Sequence, residues 1–183
     1  PVNDTPAVDV NAGLTLDEGS GATITNAVLS ASDPDNLSTE TVFTVTQGPQ
    51  YGRLEFADNA GVSISSFTQG DINAGRLRYV NDGSENTADS FTFTASDGSA
   101  VTDEESFAIS ITPVDDAPVP AANTGATLDE GGSAVLTQAQ LNTTDVDTAA
   151  SSITYTVTAA PANGRLEFTD NAGKSITSLT QDH

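Results

Sequence analysis

The sequence predicts an all-β fold, a Greek-key β-sandwich carried in tandem repeats. Three observations predict it. The chain repeats itself at a fixed offset, its apolar residues alternate with polar ones at a period of two, and turn clusters separate the alternating segments.

The repeat comes first. Residues 2–71 align with residues 114–183 at a constant offset of 112, without a gap, and about half of the aligned positions are identical. The linker Val2-Asn3-Asp4-Thr5-Pro6 matches Val114-Asp115-Asp116-Ala117-Pro118. Leu16-Asp17-Glu18-Gly19 matches Leu128-Asp129-Glu130-Gly131, and Asp33-Pro34-Asp35 matches Asp145-Val146-Asp147. Gly52-Arg53-Leu54-Glu55-Phe56 matches Gly164-Arg165-Leu166-Glu167-Phe168. The sequence thus divides into a complete repeat, residues 1–113, and the N-terminal part of a second, truncated repeat, residues 114–183. It opens on linker-like residues at Pro1 and stops at His183 in mid-pattern, so it is expected to be a piece of something longer.

Alternation comes second. Thr41 to Thr46 is rich in β-branched residues, and Leu54 and Phe56 alternate with Arg53 and Glu55. Arg76 to Val80, Phe91 to Thr94 and Phe107 to Ile111 alternate in the same way. These read as half-buried antiparallel strands. The turn clusters are Asp33 to Asn36, Gln47 to Pro49, Asp58 to Gly61, Asn81 to Ser84 and Asp97-Gly98. Thr68 to Gly75 allows one short helical turn. Many short strands in about 110 residues make an immunoglobulin-like sandwich outline.

Composition narrows the function. The net charge is -21, from 26 acidic and 5 basic residues. Five scattered cations cannot line a phosphate track, so no nucleic-acid partner is expected. No apolar run approaches the roughly 20 residues of a membrane span, so no membrane insertion is expected of this fragment. There is no Cys, which removes disulfides and thiolate metal sites. The only His is His183, so no Ser-His-Asp or Cys-His set can form, and an enzyme is not expected.

The carboxylates gather at turns and linkers. Calcium takes six to eight oxygens at about 2.3–2.6 Å and accepts carboxylate, amide and carbonyl donors together. A D-x-D spacing can point two carboxylates one way. Glu18 lies 14 residues beyond Asp4, and at about 3.3 Å per residue such a strand crosses a sandwich. Glu18 should therefore lie beside the following linker, while Asp33, Asp35 and Asp97 return to the N-terminal end. The expected junction site is Glu18, Asp115, Asp116, Asp145 and Asp147. The expected site at the N-terminal pole is Asn3, Asp4, Asp33, Asp35 and Asp97, and it is the weaker one, since no preceding repeat adds donors. Carboxylates packed this closely repel by several kcal/mol unless a cation neutralises them. Asp58-Asn59 and Asp170-Asn171 read instead as ordinary turn residues.

These residues carry a family resemblance. Asp33/Asp35, Ala95-Ser96-Asp97-Gly98 and the linker Asn3 to Pro6 resemble cadherin calcium motifs. Phe67 to Asp71, Gly75 to Glu85 and Asp89 to Phe91 are similar to the chondroitin sulfate proteoglycan (CSPG) repeat. The resemblance implies an extracellular cadherin-like sandwich with calcium at repeat junctions and a role in adhesion or matrix contact. Bacterial giant adhesins carry similar arrays. The chain departs from the pattern at Asn81, where that repeat usually has His, and in its shorter linker. The D-R-E motif of cadherins is not evident, and Asp82 or Glu85 is the stand-in.

The expected function is therefore a calcium-stiffened spacer or adhesion repeat of a secreted or cell-surface protein, with neighbouring repeats of the same chain as partners. The alternative is a carbohydrate- or matrix-ligand-binding sandwich, which would need an aromatic platform from three Tyr and seven Phe. The second repeat lacks counterparts of 76–80, 89–95 and 101–112. Its apolar side chains Val157, Leu166, Phe168 and Ile176 are expected to lie partly open, with self-association through this half-sandwich as a consequence.

Overall fold

The computed structural model describes residues 2–183. The chain divides into two compact units, Pro1–Val114 and Asp115–His183.

Unit 1 is a β-sandwich. Its strands are β1 (Ala7–Asn11), β2 (Leu14–Asp17), β3 (Gly21–Thr23), β4 (Leu29–Ser32), β5 (Val42–Gln47), β6 (Gly52–Phe56), β7 (Ser66–Thr68), β8 (Leu77–Asn81), β9 (Ala88–Ser96) and β10 (Glu105–Thr112), with helix α1 (Gln69–Asn73) between β7 and β8. A five-stranded sheet runs β2-β10-β9-β5-β7, a three-stranded sheet runs β3-β8-β6, and β1 and β4 form a ribbon. The β2–β10 pair is parallel and the others are antiparallel. The period-two segments become these strands, with burial alternating along β8, β9 and β10.

The alternating residues meet in one core. Phe43, Phe91, Phe93, Phe107, Tyr79, Leu29 and Leu77 are fully buried there. Phe43 stacks on Phe67 with ring centroids 5.0 Å apart, and Phe91 stacks on Phe107 at the same separation. Thr68 caps α1: its Oγ1 accepts from the Asp71 amide at 3.1 Å, and the Asp71 carboxylate accepts from the Thr68 amide at 2.9 Å.

One expectation needs correcting. The long crossing strand that was to carry the chain from Asp4 to Glu18 is two strands, not one. Gly13, at φ +78°, redirects the chain, so β1 pairs with β4 while β2 pairs with β10. A Cβ at Gly13 would lie 2.8 Å from the Ala108 carbonyl oxygen, so both the turn and the close approach require glycine. The chain still crosses the sandwich: Asn11 Nδ2 donates to the Ser106 carbonyl near the start of β10, and Asp17 pairs with Thr112 at its end.

Two buried polar groups organise the turns. Glu55, only 1% exposed, accepts from the Gly61 amide and from Arg53 Nε, both at 2.8 Å. The Gly61 bond, helped by the Arg53 guanidinium, holds its carboxyl below the ordinary range against the opposing effect of burial. A folded-state value lowered in this way stabilises the fold above the unfolded value, near 4.5, and the contribution is lost as pH falls through the lower folded value. We expect Glu55→Gln to cost about 2 kcal/mol at neutral pH. Denaturant titrations of both proteins should show that difference shrinking under acid. Gln69, also buried, donates from Nε2 to Asn26 and Asn73, both at 2.9 Å, and accepts from the Ala31 amide at 2.8 Å, which ties α1 to β4.

Unit 2 keeps only some of these elements. Its strands are β11 (Val119–Asn123), β12 (Leu141–Thr144), β13 (Thr154–Thr156) and β14 (Ser178–Thr180), pairing β11 with β12 and β13 with β14. These reproduce the β1–β4 and β5–β7 pairs. Counterparts of β2, β3 and β6 are not strands, because in unit 1 their ladder partners are β8 and β10, and residues 114–183 contain no such segments. Local staples persist: Arg165 Nε and the Gly173 amide donate to Glu167 at 2.6 and 2.7 Å, and Gln181 Oε1 accepts from the Thr143 amide at 2.9 Å. Val157, Leu166, Phe168 and Ile176 are half-buried. Leu128 and Leu136 are 56% and 38% exposed, while their unit 1 counterparts Leu16 and Ile24 are buried.

Candidate metal centre

The N-terminal pole of unit 1 is built by the linker and two turns. Asp33 follows β4 directly, and its Oδ1 accepts from the Asp35 and Asn36 amides at 2.8 and 2.9 Å. This Asx turn fixes the D-x-D. Asp35 Oδ2 in turn accepts from the Asp4 amide at 2.9 Å. Asp97 follows β9, and its Oδ1 accepts from the Ser99 and Ala100 amides, both at 2.7 Å. Its other oxygen accepts from Asn3 Nδ2 at 2.7 Å. The Ala100 amide, with Asn3 and the Ser99 amide, holds the Asp97 carboxyl below its usual range. The five residues named for this pole, Asn3, Asp4, Asp33, Asp35 and Asp97, are thus linked through the linker.

The unmet groups matter more. Asp33 Oδ2 is buried with no hydrogen-bond partner. An anionic oxygen out of water with nothing to receive is costly and asks for a cation.

Unit 2 repeats the arrangement at its own start. Asp145 Oδ1 accepts from the Asp147 and Thr148 amides at 3.0 and 2.7 Å. Asp147 Oδ2 accepts from the Asp116 amide at 2.6 Å. Asp145 Oδ2 is buried without a partner, as Asp33 Oδ2 is. Asp115, exposed, stands next to Asp116 in the linker.

At the far end of unit 1, Glu18 follows β2. Its amide donates to the Thr112 carbonyl at 2.9 Å, continuing the β2–β10 ladder by one residue. Its Oε2 faces the Val114 amide at 3.5 Å, and its Oε1 is buried without a partner. Strand counting put Glu18 beside the end of this repeat, and it lies there. A carboxylate oxygen of Glu85 comes within 4.8 Å of one from Glu18. Glu85, one of the two stand-ins for the D-R-E motif, therefore lies near Glu18. Asp82 instead accepts from the Ser84 amide and hydroxyl at 3.0 and 2.6 Å.

Asn81 is a residue whose part sequence reasoning missed. It is buried; its Oδ1 accepts from the Gly19 and Gly83 amides at 2.8 and 2.9 Å, and its Nδ2 donates to the Tyr51 carbonyl at 3.0 Å. It pins the turn after Glu18 to the turn before Glu85, which makes it a positioning residue. Its place in the CSPG-like motif was the available signal. Asp58 is engaged by Arg76 Nη2 at 3.0 Å and stays a turn residue.

The chain is similar to extracellular matrix proteins and to a chondroitin sulfate proteoglycan. It is 41% identical to the human extracellular matrix organizing protein FRAS1 over 168 residues, covering 91% of this chain and 4% of that protein. It is 33% identical to human FRAS1-related extracellular matrix protein 2 over 187 residues, covering 99% of the chain and 6% of the relative. It is 33% identical to human chondroitin sulfate proteoglycan 4 over 187 residues, covering 93% of the chain and 8% of the relative. The chain therefore spans less than a tenth of the length of each. No helix among the described residues is long and apolar enough to cross a membrane. The family described as Cadherin-like matches residues 6–111 and 118–183, nearly the whole of both units. With its sandwich fold and its extracellular matrix relatives, this chain belongs to the Cadherin-like family as an extracellular CSPG-type repeat.

Proposed function

We propose that the chain is a calcium-binding structural spacer repeat of an adhesive or matrix array, and that it is not an enzyme. The observation that carries this reading is the repeated orphan oxygen. In each D-x-D turn one carboxylate oxygen of the first Asp is saturated by amides, while the other, Asp33 Oδ2 or Asp145 Oδ2, is buried and unmet. A turn that only capped its own backbone would leave the second oxygen to water. A hard cation with oxygen ligands satisfies it. Asn3, Asp4, Asp33, Asp35 and Asp97 would hold the ion at the start of unit 1.

Glu18, Asp115, Asp116, Asp145 and Asp147 are the proposed donors at the repeat junction, on the strength of sequence order, with Glu85 added by its nearness to Glu18. Calcium there stiffens the array. The sugar-binding alternative has less support, because Phe43, Phe67, Phe91, Phe93, Phe107 and Tyr79, six of the ten aromatic side chains, are buried in the core of unit 1.

Titration calorimetry tests the reading. Calcium should bind the whole chain, and an Asp145→Asn, Asp147→Asn double variant should lose part of that binding. A chain that takes up no calcium would remove the proposal.

A further inference from the structure

We infer that Asn36 is an acceptor for N-linked glycosylation. Transfer of an oligosaccharide to asparagine needs Asn, any residue but Pro, then Ser or Thr. The chain has three such triplets: Asn3-Asp4-Thr5, Asn36-Leu37-Ser38 and Asn142-Thr143-Thr144. A glycan is bulky and must leave the protein surface, so the fold tolerates it best on a loop whose side-chain amide has no other work.

The structure separates the three. Asn3 Nδ2 donates to the Asp4 carbonyl at 2.8 Å and to Asp97 Oδ2 at 2.7 Å. Both of its protons are committed, and a bond to sugar would remove one of them. Asn142, Thr143 and Thr144 all lie within β12, where Asn142 sits opposite Ala122 of β11. Asn36, Leu37 and Ser38 lie instead in the connection between β4 and β5. Among the described residues, the Asn36 side chain has no hydrogen-bond partner. Its amide is not a buried orphan either, so it opens to solvent.

The connection holds this triplet on a fixed frame. The Asn36 backbone amide donates to Asp33 Oδ1 at 2.9 Å, and the Leu37 amide donates to Glu40 Oε2 at 2.9 Å. The Leu37 carbonyl accepts from the Glu40 amide at 2.8 Å, and the Ser38 carbonyl accepts from the Gly70 amide at 2.8 Å. These bonds use backbone atoms of the triplet and leave the Asn36 amide and the Ser38 hydroxyl uncommitted. Leu37 between them is 70% exposed. Asn36 and Ser38 both line an open polar cleft of about 440 Å³, together with Ser30, Thr41 and Asn73. The acceptor nitrogen and the hydroxyl of its triplet thus face one space, and the hydroxyls and amides around it suit the polar groups of a first sugar.

The step is a glycosyl transfer from a lipid diphosphate-linked oligosaccharide, which the secreting cell supplies with its transferase. Asn36 Nδ2 forms a bond to the anomeric carbon, the bond from that carbon to the phosphate oxygen breaks, and the lipid diphosphate leaves with the electron pair. Nδ2 gives up one proton and keeps the other. The inference does not rest on the calcium reading.

The test is secretion of the whole chain from a glycosylating animal cell, followed by glycopeptide mapping. Most secreted chains should carry a glycan on Asn36. Asn36→Gln and Ser38→Ala should each remove it, while Ser38→Thr, which keeps a hydroxyl, should keep it. Should either of the first two variants fail to be secreted, the map of the wild-type chain decides alone. An unmodified Asn36 in secreted wild-type chain would overturn the inference, as would a glycan that survives Ser38→Ala. Equal or higher occupancy at Asn3 or Asn142 would overturn the selection made by their hydrogen bonds and strand pairing.

Discussion

Replacing Phe93 with Ala lowers the stability of unit 1 by about 3–5 kcal/mol. Phe93 is fully buried on β9, with its ring 5.5 Å from Phe43 and 6.0 Å from Phe91. Those two rings link onward to Phe67 and Phe107, so the deletion opens a cavity in the middle of an aromatic chain. Hydrogen exchange resolved by residue is the measurement that checks it. Amides of β5, β9 and β10 should lose protection together, while those of β11 to β14 keep theirs, since no residue in unit 2 corresponds to Phe93. A loss confined to β9 would mean that unit 1 does not unfold as one cooperative body.

Asp33→Asn has an effect whose sign depends on calcium. In chelator, the wild-type chain carries a buried carboxylate oxygen with nothing to receive, on a residue whose other oxygen accepts from the Asp35 and Asn36 amides. The amide keeps the oxygen that accepts from the Asp35 and Asn36 amides and replaces the orphan with a donor. We expect a gain of about 1–3 kcal/mol without calcium, the scale of one unsatisfied buried polar group. With calcium the variant lacks a charged ligand and should be the less stable protein. Denaturant unfolding of both proteins, in chelator and in calcium, gives the four values needed. Wild type more stable than the variant in both conditions would show that the Asp33 carboxylate has another role in the turn.

Much of this was legible from residue order. The offset of 112 located both repeats, and alternation located the core strands of unit 1. The return of Asp33, Asp35 and Asp97 to the linker followed from strand length, which is set by backbone geometry rather than by side-chain detail. The turn at Gly13 was not legible, because its cause is a contact with Ala108, distant in sequence. Glu55 read as the exposed partner of an alternating pair; it is buried because the Gly61 amide and Arg53 satisfy it. The missing β2, β3 and β6 equivalents in unit 2 have a physical cause too. A strand forms where its ladder partner is, and β1–β4 and β5–β7 are the pairs whose members both fall within residues 2–71.

Thermal unfolding with and without calcium, with magnesium as the control, tests the central claim most directly. An ion that binds only the folded chain adds RT ln(1 + [L]/Kd), about 2.7 kcal/mol at a hundredfold excess over Kd. Magnesium demands a tighter octahedral shell and gives up its water reluctantly, so it should do much less. A large calcium-specific rise, reduced in the Asp145→Asn, Asp147→Asn variant, is the predicted result. No rise, or an equal rise with magnesium, would contradict a calcium-binding repeat.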